Sequence, residues 1–147
     1  MESFEPIVLK VSLETTLETL WEALTNPVHM RQWYFENIPN FKPEKGFETR
    51  FQVQNEGRTF THIWKITEVI PYQKISYTWR FEEYPGESIS LFTMTEKNDT
   101  TLLKLESYIL KPFPNDIPEF KRESGVAGWD YLIHKNLVAF LRKSKAC

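Results

Sequence analysis

The C-terminal stretch from Glu119 to Lys145 constrains the fold most, because it carries the only long helical pattern in the chain. Its apolar residues recur at steps of three, four, four and three, which is typical of one buried stripe on an α-helix. The stripe consists of Val126, Trp129, Ile133, Leu137 and Phe140. The segments before it alternate apolar and polar residues, as half-buried strands do. We therefore expect one helix that buries its stripe against the apolar face of an antiparallel sheet.

The rest of the pattern predicts six strands and two short helices. Alternation places the strands at residues 7–13, 47–54, 60–70, 75–82, 88–96 and 101–110, and the third of them ends at Pro71-Tyr72. Thr15 or Thr16 can cap a first helix, and Asn26-Pro27 ends it. Pro27 also suits the first turn of a second helix at residues 28–34.

The intervening segments read as loops and turns. Residues 35–46 show no periodicity and form a loop, and Tyr84-Pro85-Gly86 reads as a turn. The proline-punctuated residues 111–118 connect the last strand to the helix, either as a lid or as a spacer.

Length and charge limit the class of protein. The 147 residues suit one domain, residues 1–147, and the net charge of -2 lacks the basic excess of a nucleic-acid binder. No stretch approaches the roughly 20 apolar residues of a membrane span. The start at Met1 has acidic residues and a proline where a signal peptide has a basic end and an apolar run. We therefore expect a cytoplasmic protein without a nucleic-acid partner.

The metal-binding residue types are sparse. Cys147 is the only cysteine, which excludes an internal disulfide and a cysteine-based metal cluster. The three histidines, His29, His62 and His134, have no second histidine or cysteine at ligand spacing. We expect no metal, no cofactor and no residue with a defined catalytic role.

The two ends of the chain carry a family pattern. The segment from Thr16 to Tyr34, with Trp21, Ala23-Leu24-Thr25, Pro27 and Trp33 at the matching positions, resembles the opening signature of the activator of Hsp90 ATPase homologue family. Gly128-Trp129 with Leu132 and Leu137 resembles its closing helix, and residues 68–72 and 75–79 are similar to its central strands. This family lies within the START-like (SRPBCC) superfamily.

The resemblance implies an α+β helix-grip fold, START-like or Bet v 1-like. In that fold a curved antiparallel sheet of about six strands wraps around a long C-terminal helix, two short helices follow the first strand, and a cavity lies between sheet and helix. The resemblance also implies smaller residues near the position of Trp64 in relatives, so the cavity here is expected to be reduced.

The high aromatic content, 15% of residues, suggests what lines such a cavity. An apolar pocket with a few polar groups suits a small hydrophobic or aromatic ligand, because desolvation of apolar surface supplies most of the affinity. The predicted wall consists of Trp33, Phe51, His62, Trp64, Tyr77, Trp79, Phe92, Tyr108, Trp129 and Ile133. Asp130, His134 and Asn136 are the polar candidates at its edges. Trp64 and Trp79 either line this pocket or fill it.

Three functions stay open at this point. The first is a stand-alone domain that binds a small hydrophobic molecule without performing chemistry. The second is a chaperone cofactor or protein-interaction domain that acts on an Hsp90-type ATPase, as the resemblance implies. The third is a cyclase-like or hydrolase-like enzyme that uses His62 and Tyr77 as acid and base, which requires both groups near one point in the cavity.

Overall fold

The computed structural model describes residues 5–146. Residues 1–4, on which the expectation about a signal peptide partly rests, and Cys147 lie outside the described residues. The elements in chain order are β1 (Ile7–Leu13), α1 (Leu17–Thr25), α2 (Pro27–Trp33), β2 (Glu48–Asn55), β3 (Arg58–Ile70), β4 (Lys74–Phe81), β5 (Tyr84–Lys97), β6 (Thr100–Lys111), a 3₁₀ turn (Pro118–Phe120), α3 (Arg122–Asp130), a π-helical segment (Tyr131–Leu137) and α4 (Val138–Ala146).

The six strands form one curved sheet in which every neighbouring pair is antiparallel. Strands β2 to β6 are joined as consecutive neighbours, and β1 pairs with β6 at the far edge, which gives the order β1-β6-β5-β4-β3-β2. The two short helices follow β1, and the long helix ends the chain. The predicted α+β helix-grip architecture is therefore confirmed.

Local chemistry explains where the short helices begin. The Thr16 hydroxyl accepts a hydrogen bond from the Thr19 backbone N–H at 3.1 Å and caps α1. The Asn26 side chain caps α2 in the same way through the Val28 N–H at 2.9 Å, and Pro27 occupies the first turn. No helix among residues 5–146 is long and apolar enough to cross a membrane.

The C-terminal helix, residues 122–146, differs from the predicted regular helix at its centre. Within residues 122–143, whose burial is described, the buried residues are Trp129, Ile133, Leu137 and Leu141, each four positions after the last, whereas Val126 is 43% exposed. In an α-helix, residues four apart drift by about 40° around the axis. The looser winding of the π-helical segment reduces this drift, so the buried residues stay on one face.

The hairpin between β4 and β5 also differs from the prediction. Tyr84-Pro85-Gly86 belongs to β5, and the chain turns at Glu82 and Glu83 instead. Pro85 has no N–H to donate, yet a strand tolerates it beside the turn at its start. The loop predicted at residues 35–46 is confirmed, since this segment contains no helix or strand.

Candidate functional site

Seven of the ten predicted wall residues lie in the close-packed core between the sheet and the helices. Each is at most 6% exposed, and none borders the cavity described below. They are Trp33, Phe51, His62, Trp64, Tyr77, Phe92 and Ile133.

Trp64 is the centre of this aromatic core and is fully buried. Its ring lies 4.8 Å from that of Tyr77, 4.9 Å from Phe51 and 5.0 Å from both Tyr34 and Trp79, measured between centroids. These are the separations of directly packed aromatic rings. Trp64 therefore fills the concave face of the sheet at this point.

His62 is a neutral core residue at physiological pH. Its ring stacks on Phe51 with a centroid distance of 4.8 Å, and Nδ1 lies 3.1 Å from the Phe60 carbonyl oxygen. A carbonyl only accepts, so Nδ1 carries the proton and donates it. Burial lowers the pKa of His62 to about 4, although this hydrogen bond and the Glu83 carboxylate act in the opposite direction.

Tyr77 is paired within the core and does not face a cavity. Its hydroxyl lies 2.6 Å from that of Tyr34, and one hydroxyl donates to the other. Burial raises the pKa of both groups, so both stay protonated at neutral pH. The two groups of the predicted acid–base pair, His62 and Tyr77, thus have their hydrogen-bond partners inside the core.

A cavity of about 580 Å³ lies at the other end of the concave face. It is bordered by β1, β4, β5 and β6, by α3, and by residues 112–121, which we call the connecting segment. Trp79 and Trp129 from the predicted wall both line it. We refer to it as the serine cavity after Ser88, Ser90 and Ser107, which line it from the sheet.

Small side chains on the sheet account for this space. Ser88 and Ser90 precede Phe92 in the same inward phase of β5, and Ser107 follows Leu105 in that of β6. Ser90 and Ser107 are direct cross-strand neighbours. The large side chains of the cross-strand pair Phe92 and Leu105 fill the concave face of the sheet. The short side chains of the pair Ser90 and Ser107 leave the cavity between sheet and helix.

Aromatic residues of the connecting segment cover the serine cavity. Phe113 and Phe120 stack with centroids 5.1 Å apart, and Phe120 lies 5.1 Å from Phe81 of β4. Phe113 also packs directly over Gly86. The cover is therefore an apolar layer held against the β4–β5 hairpin.

Two contacts of charged side chains fix the C-terminal end of this cover. Arg58 donates to both carboxylate oxygens of Glu119 at 2.9 to 3.1 Å, and Asn55 donates to the same carboxylate at 2.7 Å. The hydrogen bonds from Arg58 hold the pKa of Glu119 below its usual range. Arg122 donates to the Glu5 carbonyl at 2.6 Å, which ties the start of α3 to the chain before β1.

Substitution of Gly86 tests how closely the cover packs. Gly86 has a φ of +115°, and an added Cβ would lie 2.3 Å from Cδ1 of Phe113. We expect Gly86→Ala to lower the free energy of unfolding by about 2 kcal/mol or more, from backbone strain and displacement of Phe113. Urea denaturation measures this loss.

Gly46→Ala is the matched control, because Gly46 has a φ of +91° but open space around its Cβ position. It reports backbone strain alone. The loss for Gly86→Ala should exceed the loss for Gly46→Ala by about 1 kcal/mol or more. Equal losses would contradict close packing of Phe113 on the hairpin.

The remaining predicted polar and aromatic residues lie away from the serine cavity. The Tyr108 hydroxyl donates to Glu106 at 2.9 Å, and its side chain alternates with Ser107, so it occupies the opposite face of β6. His134 pairs with Asp130 at 2.6 Å on the exposed side of the C-terminal helix. Asn136 donates to the Trp33 carbonyl at 3.3 Å.

The sequence prediction missed most of the residues that border the cavity. They include the three serines, Phe81, Phe113 and Phe120. The serines could have been found from the strand alternation. Phe92 and Leu105 point inward, and the serines lie two or four positions away from them in the same strands, so the serines point inward too. No three His, Cys, Asp or Glu side chains of the described residues form a group that could hold a metal ion.

Comparison with known proteins identifies relatives of the whole fold. Residues 14–142 match the family described as Activator of Hsp90 ATPase homolog 1-like protein. No curated protein matches the sequence significantly. Protein CV1439 from Chromobacterium violaceum is similar in structure, with a TM-score of 0.76 and 20% identity over 92% of this chain and 95% of that one.

Two further solved structures resemble this chain. Protein MLL2253 from Mesorhizobium loti has a TM-score of 0.73 and 24% identity, covering 95% of this chain and 98% of its own. DynU16, described as a protein in the dynemicin biosynthetic locus, has a TM-score of 0.75 and 20% identity over 95% of this chain and 48% of its own. At these identities the likeness establishes the fold alone.

Proposed function

This chain belongs to the family of Activator of Hsp90 ATPase homolog 1-like proteins, and we propose that it binds a small hydrophobic or aromatic molecule in the serine cavity. The observation that carries the proposal is a partly open space between sheet, helix and connecting segment that is bordered by five aromatic side chains, namely Trp79, Phe81, Phe113, Phe120 and Trp129. Aromatic walls favour flat apolar ligands, because stacking adds to the free energy gained by desolvation.

Size and position also support this function. A volume of about 580 Å³ lies within the range of about 300 to 1,000 Å³ typical of small-molecule sites. The aromatic core at Trp64 occupies the remainder of the concave face, so the binding volume is confined to one end. The cover carries Phe113 and Phe120, which would close over a bound ligand.

A thermal-shift screen with lipids and aromatic metabolites tests the proposal. A ligand present at about 100 times its Kd stabilises the folded state by about 2.7 kcal/mol. For a chain of this size we expect a rise in Tm of about 5 to 10 °C. Trp79 and Trp129 line the cavity, so bound compounds should also change tryptophan fluorescence.

Ser107→Leu fills the cavity from the centre of β6 and should abolish both signals while the protein stays folded. Thr93→Leu is the matched control, since Thr93 lies between the inward Phe92 and Met94 and therefore faces the other side of β5. Binding that survives Ser107→Leu unchanged, or a screen without any stabilising compound, would count against the proposal. The Hsp90-type partner implied by the family resemblance stays a separate prediction.

A further inference from the structure

Among the described residues that border the serine cavity, one fully buried hydroxyl lacks a hydrogen-bond partner. Ser90 is 1% exposed and is the most deeply buried residue that borders the cavity. Its Oγ has no hydrogen-bond partner among the described residues, whereas the neighbouring Ser88 hydroxyl donates to the Trp79 carbonyl at 3.4 Å. A buried hydroxyl without a partner is unfavourable and is rare in folded proteins.

Charge is confined to the outer part of the same cavity. Glu5, Lys121, Arg122 and Glu123 border it and are exposed, and Glu119 is already bound by Arg58. The residues beside Ser90 on the sheet are uncharged, namely Trp79, Ser88 and Ser107. A charged ligand group placed next to Ser90 would lose its hydration without gaining an opposite charge.

We propose that Ser90 anchors the ligand, and that the ligand is an aromatic molecule with an uncharged hydroxyl or carbonyl group at its buried end. This inference rests on the proposed function. A serine hydroxyl both donates and accepts, so it can pair with either group. The apolar body of the ligand lies against Trp79, Trp129 and Phe120, and the polar group reaches inward to Oγ of Ser90.

Three probes with one ring system separate the possibilities: naphthalene, 2-naphthol and 2-naphthoate. Equilibrium dialysis of the full chain against each probe gives the three Kd values. We expect 2-naphthol to bind about three- to tenfold more tightly than naphthalene, as one neutral hydrogen bond allows. We expect 2-naphthoate to bind more weakly than 2-naphthol.

Ser90→Ala should weaken binding of 2-naphthol about three- to tenfold and leave naphthalene within about twofold. Ser76→Ala is the matched control, because Ser76 is also a buried serine but lies away from the cavity and its hydroxyl is paired with that of Thr67 at 2.7 Å; it should leave both Kd values within about twofold. Ser90→Ala should fold at least as stably as the wild type, since it removes an unpartnered buried hydroxyl. Ser90→Cys, nearly isosteric with a weak donor, provides a second variant that should give an intermediate loss.

The outcomes distinguish this inference from the proposed function. If all probes bind, but Ser90→Ala does not alter the preference for 2-naphthol, the anchor role is overturned and the binding function stands. If 2-naphthoate binds most tightly, the uncharged class of ligand is overturned. If no probe binds the wild type, both the inference and the proposed function fail.

Discussion

Trp64→Ala is expected to lower the free energy of unfolding by about 3 to 5 kcal/mol, the usual cost of removing a fully buried tryptophan. The cost is high because the surrounding rings of Tyr34, Phe51 and Tyr77 belong to other elements and cannot all move into the space. Urea denaturation monitored by circular dichroism measures the loss. Trp64→Leu is the milder variant if Trp64→Ala does not fold.

The variant also tests whether Trp64 fills a space that a ligand would otherwise occupy. The void left by its side chain is apolar and enclosed, and such voids bind small aromatic molecules. We expect indole to raise the stability of Trp64→Ala and to recover part of the loss.

Trp79→Ala is the comparison, because Trp79 is only half-buried and borders the serine cavity. It should cost less stability than Trp64→Ala, since its side chain is already partly in contact with solvent. A loss below about 1 kcal/mol for Trp64→Ala would contradict its role at the centre of the core.

The fold was predictable because its strands follow a two-residue alternation and its helices follow a period of about 3.6 residues. Alternation located the strands, and caps and prolines located the short helices at Thr16 and Pro27. The π-helical segment could not be predicted, since its residues also fit a regular helical stripe. The same regular geometry predicted that Val126 is buried, and this prediction was wrong, because its side chain is 43% exposed.

The cavity was harder to locate, because sequence alternation indicates which way a side chain faces but not whether neighbouring side chains fill the space in front of it. The inward phase of the strands placed most of the predicted aromatic residues on the concave face, although Tyr108 lies on the other one, and it did not indicate whether these residues line a gap or close it. Ser90 and Ser107 become informative only when the register of β5 and β6 pairs them. The misplaced turn at residues 84–86 concealed the start of β5, which carries Gly86 and Ser88.

Stability should fall as the pH decreases from about 6.5 towards 4, because His62 is buried in its neutral form. An unfolded histidine has a pKa of about 6.5, whereas burial lowers the pKa of folded His62 to about 4. Within this range the unfolded chain binds more protons than the folded chain, so acidification favours unfolding. The contribution of His62 is complete above about pH 6.5 and is lost as the pH falls through its folded pKa.

The expected loss between pH 8 and pH 5 is about 2 kcal/mol, and it approaches about 3 kcal/mol near pH 4. Urea denaturation at a series of pH values measures it. The carboxyl groups of Glu83, Glu106 and Glu119 contribute little in the upper half of this range, because their pKa values are lowered and they titrate at more acidic pH. Nearby charge does not reverse the effect, since the Glu83 carboxylate only partly offsets the burial of His62.

His62→Phe provides the control, because phenylalanine fits the aromatic surroundings of Phe35, Phe51 and Phe81 but does not titrate. The variant should lose about 2 kcal/mol less than the wild type between pH 8 and pH 5, whatever its stability at pH 8. His29 and His134 are present in both proteins, so their effects cancel in this difference. Identical pH dependence in the two proteins would mean that His62 is accessible to protons in the folded state, which would return it to consideration as an acid–base group.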